Sequence, residues 1–410
     1  MRLLRDNADF RRLWLAQTLS KLGSQVTYLA LPLTAATVLG ASPAQMGLLT
    51  AAGSLPAPLL GIVAGTMVDR RPRRPVMVST DLARALLLAL IPLAWLTGSL
   101  TLSLVFAVAF LAGACALLFD LAAVAFAPAV LTRRELVEGN SGLELSRSAA
   151  EVTGPAVAGL LVQVVRAPLA VAADALSFLA SALLIARIRT PEPAHAPSEP
   201  FWRAAVAGIP VVLRDPTIRS LALMAGGLGL FNALIESVVI LYLVREVGMP
   251  PALLGLVFGV GGLGFVLGAL LPTRLVAALG AGRTLVLALA VIGLSDLALP
   301  LVGRDLVLVA VAIGAGQFFF GLGLTVLGVV QVSLRQALVP DRLAGRVGGL
   351  IRIAGWGAAP VGALIGGVLG QIAGLQPTLV VGAMLEVSVA VWVLRSPLGA
   401  IRAIPVAAED

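Results

Sequence analysis

The chain of 410 residues holds one cysteine, Cys115, and one histidine, His195. A single thiol excludes an internal disulfide framework, a cysteine zinc cluster and a CxxC redox pair. A single imidazole removes most histidine-based catalysis and metal chemistry. Charge is scarce too: 12% of residues are Asp, Glu, Lys or Arg, against about 25% in soluble globular chains. A water-facing surface for a chain of this length is therefore excluded. No Walker A sequence occurs. The run Gly259-Val-Gly-Gly-Leu-Gly264 contains G-x-G, but it lies inside an apolar stretch with no preceding strand, so close helix packing explains it better than phosphate binding. No nucleophile–base pair stands out, and neither an enzyme, a cofactor nor a metal site is expected.

What fills the chain is apolar: 59% hydrophobic residues, with a mean hydropathy of +1.02. About 20 such residues cross the hydrocarbon layer as a helix. Twelve stretches qualify, at 12–38, 44–68, 75–97, 101–130, 140–165, 168–187, 218–244, 251–277, 283–302, 306–334, 343–371 and 376–395. The first is too long for a signal-peptide core and is expected to remain. The expected protein is therefore all-α and membrane-embedded. The longest connection, 188–217, contains the proline-rich run Thr190–Pro200 and His195. It divides an N-terminal six-helix lobe, 1–187, from a C-terminal one, 218–410.

The net charge of +8 invites a nucleic-acid reading, but its distribution argues otherwise. With the N-terminus placed in the cytoplasm, 22 of the 29 basic residues fall in cytoplasmic connections or tails, three in outer ones and four within spans. That bias predicts both termini inside. No nucleic-acid partner is expected; membrane lipid and a small-molecule substrate are, with the chain acting as a monomer.

The halves also resemble each other. A shift of 208 places Pro43–Gly47 over Pro251–Gly255, and a shift of about 205 places Asn140–Arg147 over Gly345–Arg352 and Pro155 over Pro360. Internal duplication of this kind marks two-lobed transporters. On the second alignment Arg352 mirrors Arg147, and both lobes would present a basic wall, suited to an anionic or zwitterionic substrate.

The second connection reads Gly65-Thr-Met-Val-Asp69-Arg70-Arg71-Pro72-Arg73-Arg74. It resembles the G-x-x-x-D-R-x-G-R-R signature of the major facilitator superfamily, with Pro72 in place of a glycine. Asn7–Gln17, Arg214–Ser220, Asn140 and Gly154-Pro155-Ala-Val-Ala-Gly159 are similar to the enterobactin-exporter and macrolide-efflux-like branch. The last also resembles that superfamily's antiporter motif on the fifth helix. The resemblance implies twelve transmembrane helices in two pseudo-symmetric six-helix lobes, the major facilitator fold. It implies that Gly65, Asp69, Arg70, Arg73 and Arg74 form a conformational latch, and that Gly154, Pro155 and Gly159 serve a moving helix. Two features depart from the branch: Leu22-Gly23-Ser24-Gln25 lacks an acidic residue, and the fourth span lacks an arginine.

Charges within spans are costly, on the order of 2.5–3.5 kcal/mol on insertion scales, and so mark sites. Glu144, Arg147 and Glu151 share one face of the fifth span, as candidates for proton coupling or substrate gating, or else as a static ion pair. Asp120 lies at a depth to reach Arg147. Lys21, with Gln17, Ser24 and Tyr28, can line a polar stripe beside Gln25. Glu236 and Arg352 are the charged candidates of the second half, with Trp356 one turn beyond. Asp81 and Arg84 read as a structural pair, and Asp174, Asp296 and Glu386 as structural residues. The expected function is secondary active transport by alternating access, as proton-coupled export of small amphipathic molecules, drug- or siderophore-like, across the cell inner membrane. The alternatives are a facilitator, importer or lipid translocator without proton antiport, or a non-transporting membrane sensor or scaffold.

Overall fold

A computed structural model describes residues 3–132, 134–192, 209–302 and 305–403. His195, most of the proline-rich run, Arg133, Arg203 and Arg304 lie outside the described residues, so the readings placed on them are left there.

Among the described residues fourteen helices have eight residues or more. They are α1 (Ala8–Leu33), α2 (Pro43–Ser54), α3 (Pro56–Asp69), α4 (Arg73–Leu96), α5 (Leu102–Val130), α6 (Leu136–Val165) and α7 (Ala167–Ala186), then α8 (Pro216–Arg245), α9 (Pro251–Gly268), α10 (Pro272–Leu279), α11 (Ala281–Leu301), α12 (Leu306–Leu338), α13 (Asp341–Ile372) and α14 (Leu375–Arg395). Among the described residues ten are long and apolar enough to cross a membrane, and the pair Pro43–Gly61 with Val63–Asp69, bent by 60°, makes up to eleven. The twelfth expected span is α1; its 26 residues include Lys21 and a run of polar side chains, which keeps it out of the apolar set.

Helix ends follow local chemistry. Asn7 accepts a hydrogen bond from the Phe10 N–H at 2.9 Å and starts α1. Asp215 accepts from the Thr217 and Ile218 N–H groups and starts α8. A side-chain oxygen at this position satisfies donors that the helix leaves open. The two caps are related by the same shift of 208 that superimposes Pro43–Gly47 on Pro251–Gly255.

The chain forms two compact units. The first comprises Met1–Ala41, Ala52–Phe201 and Pro250–Gly259. In it α7 packs on α1 and α4, α1 on α6, and α5 on α4, around Phe10, Leu13, Phe126 and Ile185, none of which is exposed. The second comprises Ser42–Ala51, Trp202–Met249 and Val260–Asp410. There α8 packs on α13 and α14, and α11 on α12 and α14, around Leu221, Leu285, Ile292 and Leu334.

Each unit uses a glycine pair to bring backbones together. In the second unit a Cβ on Gly47 would lie 2.5 Å from the Ala363 carbonyl oxygen and 2.7 Å from the Gly367 Cα. In the first a Cβ on Gly255 would lie 2.2 Å from the Pro155 oxygen and 2.8 Å from the Gly159 Cα. Only glycine permits such an approach. The shift of 208 carries Gly47 onto Gly255 and Gly159 onto Gly367: one contact, made twice.

Candidate functional site

In the first unit α1, α5 and α6 enclose a cavity of about 460 Å³. Two anchors set α1 against its neighbours: the Asn7 carboxamide donates to the Val130 carbonyl at 2.9 Å, and the Trp14 indole N–H donates to the Gly142 carbonyl at 3.1 Å. The cavity is lined by Gln17 and Lys21 of α1, Asp120 of α5, and Asn140, Glu144 and Arg147 of α6, with apolar residues such as Phe119 and Leu143 between them.

Lys21 Nζ lies 3.3 Å from Asp120 Oδ1. Asp120 thus takes its charge partner from α1, in contrast to the expected approach to Arg147. Arg147 is occupied on its own helix: Nε donates to Glu144 at 3.0 Å, a second nitrogen meets the other Glu144 oxygen, and Nη1 meets Glu151. The spacings of three and four residues put all three groups on one face. Glu151 is the least exposed of them, at 28% against 47% and 60%. The polar stripe of α1 divides. Gln17 and Lys21 reach the cavity; Ser24 instead accepts from the Arg84 guanidinium at 3.3 Å. Gln25 lies under Gly154, where an added Cβ would stand 2.5 Å from its side chain.

In the second unit α8, α12 and α13 enclose a cavity of about 630 Å³, lined by Asn232, Glu236, Gln331, Arg335, Arg352 and Trp356 among apolar residues including Phe320 and Leu324. The Arg352 guanidinium carbon sits 5.7 Å from the centre of the Trp356 ring, within cation–π range.

The lining positions repeat. Gln17, Lys21, Asp120, Ala123, Ala127, Asn140, Glu144 and Arg147 line the first cavity. Under the shift of 208 they become Ala225, Gly229, Gly328, Gln331, Arg335, Gly348, Arg352 and Gly355, and every one of these lines the second. This register corrects the mirror relation expected from the sequence. Arg352 is the counterpart of Glu144, and the counterpart of Arg147 is Gly355. The walls are accordingly not both basic: the first cavity sets Lys21 and Arg147 against Asp120 and Glu144, while the second sets Arg335 and Arg352 against Glu236.

The signature loop is held from its own unit. Glu192 accepts from the Arg73 and Arg74 backbone N–H groups at 2.6 and 2.8 Å, capping the positive end of α4. The Arg74 side chain donates to the Ile185 and Ala186 carbonyls at the last turn of α7. Arg70 caps α3 after Asp69, and nothing lies within 4 Å of a Cβ built on Gly65. Nearby, Asp9 accepts from Arg12, from the Arg189 and Thr190 N–H groups, and from the Thr190 hydroxyl at 2.7 Å. Burial pushes its carboxyl up, but the bonds from Thr190, Arg189 and Arg12 outweigh that and hold it below the usual aspartate range.

Four buried or half-buried acids read from the sequence as structural residues fall into two clusters. Asp81 of α4 and Asp174 of α7 are 0% and 1% exposed. Arg84, which stacks 3.6 Å above the Phe178 ring, supplies their positive charge. It makes no ion pair within 4 Å with Asp81 among the described residues, so the structural pair expected at that spacing is a wider cluster. Asp296 of α11 and Glu386 of α14 adjoin each other in the second unit. One signal was available: each half carries an acid in its third span and another in its sixth. Among the described residues no group of three or more His, Cys, Asp or Glu is placed to hold a metal ion.

Known proteins agree with this architecture. A bacterial homologue of the iron transporter ferroportin, solved in an inward-facing state, superimposes with a TM-score of 0.76 at 20% identity, over 96% of this chain and 98% of that one. The nucleoside transporter NupG gives 0.78 at 10% identity, over 94% and 98%. In sequence the chain is 28% identical over 349 residues to the multidrug efflux pump Tap of Mycolicibacterium fortuitum, covering 80% of this chain and 81% of Tap. It is 28% identical over 403 residues to the uncharacterised MFS-type transporter YfiS of Bacillus subtilis strain 168, covering 93% and 92%. The model of the transmembrane secretion effector family matches residues 4–410, and the chain belongs to that family of major facilitator superfamily membrane transporters.

Proposed function

We propose that the protein exports small amphipathic molecules by alternating access, in exchange for protons, with both termini in the cytoplasm. One observation carries this reading: each unit holds a cavity of several hundred Å³ at equivalent positions, apolar over most of its wall and interrupted by a few charged groups. Pockets of that size and mixture suit drug-sized amphiphiles. Charges retained inside a membrane bundle are expensive unless they serve a pathway. The relation to a multidrug efflux pump supports the outward direction, and the arginine bias of the connections supports the orientation. The signature residues Gly65, Asp69, Arg70, Arg73 and Arg74 remain the proposed switch.

The test is flux in proteoliposomes with an imposed pH gradient, across a panel of amphipathic compounds. The proposal expects at least one compound to move against its own gradient when the pH gradient is applied, and to stop when it is collapsed. Flux indifferent to the gradient would refute antiport. A second reading, an uncoupled facilitator, is favoured by one feature: Arg147 is already saturated by Glu144 and Glu151, which describes a static pair as well as a gate. Compound flux indifferent to the pH gradient would support it, whereas unchanged gradient-driven flux in Glu151→Gln would show only that Glu151 is not the coupling residue.

A further inference from the structure

Glu386 of α14 is 1% exposed, and neither of its carboxyl oxygens has a hydrogen-bond partner within ordinary distance among the described residues. Asp296 of α11 faces it, with Oδ2 likewise buried and unpartnered. The helices and turn packed against α14 are α8, α11, α13 and residues Pro397–Ala400. The polar groups they bring to Glu386 are Asp296 from α11 and Asn232 from α8; among the described residues no cation bears on either acid. The charged residues nearest in sequence on α8 and α13 are turned to the cavity, where Glu236 and Arg352 line the wall.

The first unit shows what the second lacks. Asp81 and Asp174 also come from the third and sixth spans of their unit, and there Arg84 stands among them. Arg84 donates to Ser24. The shift of 208 carries Ser24 onto Asn232, which occupies the same place on the first helix of the second unit, where no arginine accompanies it. Two carboxylates side by side, Glu386 fully buried and Asp296 half-buried with one oxygen sealed off, are unfavourable when both are charged. Each costs several kcal/mol to desolvate, and like charges at contact oppose joint ionisation. The pair needs a positive charge from outside the chain. Asn232 also lines the second cavity, so its carboxamide joins the buried acids to the space where substrate is expected.

We propose that Asp296 and Glu386 form a proton-binding site, one proton shared between the two carboxyls and exchanged with the second cavity past Asn232. As a coupling site it rests on the antiport reading above; as a proton site it stands alone. The site is reached by carboxylate protonation only: one O–H bond forms on loading and breaks on release to water.

Infrared spectroscopy of the full-length protein in lipid tests it without a known substrate. The spectrum is recorded across a pH series in potassium buffer, in light and heavy water, with and without added sodium. The expected result is a protonated-carboxyl band that persists above the pH at which exposed carboxylates ionise, shifts in heavy water and ignores sodium. The double variant Asp296→Asn/Glu386→Gln, isosteric and neutral, is expected to lose it. Absence of the band in the natural protein would overturn the proposal. Its disappearance on adding sodium would also do so, by assigning the pair to a metal cation. Survival of the band in a monodisperse double variant would place the proton elsewhere and refute the assignment. If the band is present while proteoliposomes show no gradient-dependent flux, the antiport reading falls and the proton site remains.

Discussion

Arg166 closes α6 and opens α7 with φ +71° and ψ +154°, and it is the one non-glycine residue with positive φ among the described residues. Its counterpart under the shift of 208 is Gly374, which opens α14 with φ +93° and ψ +164°. The same turn is thus built twice, once with the residue the backbone favours and once without. A side chain in this region costs about 1–3 kcal/mol, while glycine adds about 0.4–1 kcal/mol of freedom to the unfolded chain. Arg166→Gly is therefore expected to stabilise the first unit by the difference, about 0.5–2 kcal/mol. For a unit of about 200 residues each kcal/mol moves Tm by about 2–4 °C, giving a rise of about 1–8 °C. The assay is thermal unfolding of the purified protein in one detergent. Arg166→Ala removes the same side chain but keeps the strained backbone, and is expected to change little. Gly374→Ala is expected to lose about 1–3 kcal/mol. A lower Tm for Arg166→Gly, or equal rises for the Gly and Ala variants, would refute the strain argument.

Gly159→Ala and Gly367→Ala are expected to cost similar amounts, about 1–2 kcal/mol, because a new methyl meets backbone that cannot turn aside. Gly314→Ala, with nothing within 4 Å, is expected to cost nothing in the same melts, and equal losses at all three would sink the packing account. Asp9→Asn is expected to lose about 1.5–3 kcal/mol near pH 7, since charge-assisted bonds are replaced. Because the folded carboxyl titrates below its ordinary value, this stability is present above the unfolded pKa of about 3.9 and disappears as pH falls through the folded one. Melts of both proteins should then converge in acid, and a constant gap would contradict the assignment. Glu144→Gln is expected to shift stability by no more than about 1 kcal/mol, as exposed pairs do, whereas Glu151→Gln is expected to cut gradient-driven flux at least tenfold in proteoliposomes.

Apolar spans and the clustering of Glu144, Arg147 and Glu151 were legible because each rests on spacing along one helix. The pair Pro43–Gly47 and Pro251–Gly255 gave the right offset for the same reason, since the glycines that close a helix contact cannot drift. The register of α13 on α6 was not legible. In stretches of glycine and leucine an error of three positions aligns Arg352 with Arg147 convincingly, and only the lining of the two cavities shows its partner to be Glu144. Pairs from distant helices were out of reach as well. Lys21 and Asp120 lie 99 residues apart, and nothing in local pattern says which neighbour a buried acid will choose. Asp296 and Glu386 looked incidental singly; their meaning comes from adjacency and from the missing counterpart of Arg84.

Helix caps and glycine contacts recur at the same offset, yet the charged positions on the walls have been exchanged: acid for arginine at Glu144 and Arg352, arginine for glycine at Arg147 and Gly355, alanine for arginine at Ala127 and Arg335. What holds the helices together keeps one offset through both units, while what the walls present does not. Replacing a wall residue such as Arg352 therefore leaves the glycine contacts that pack the helices untouched.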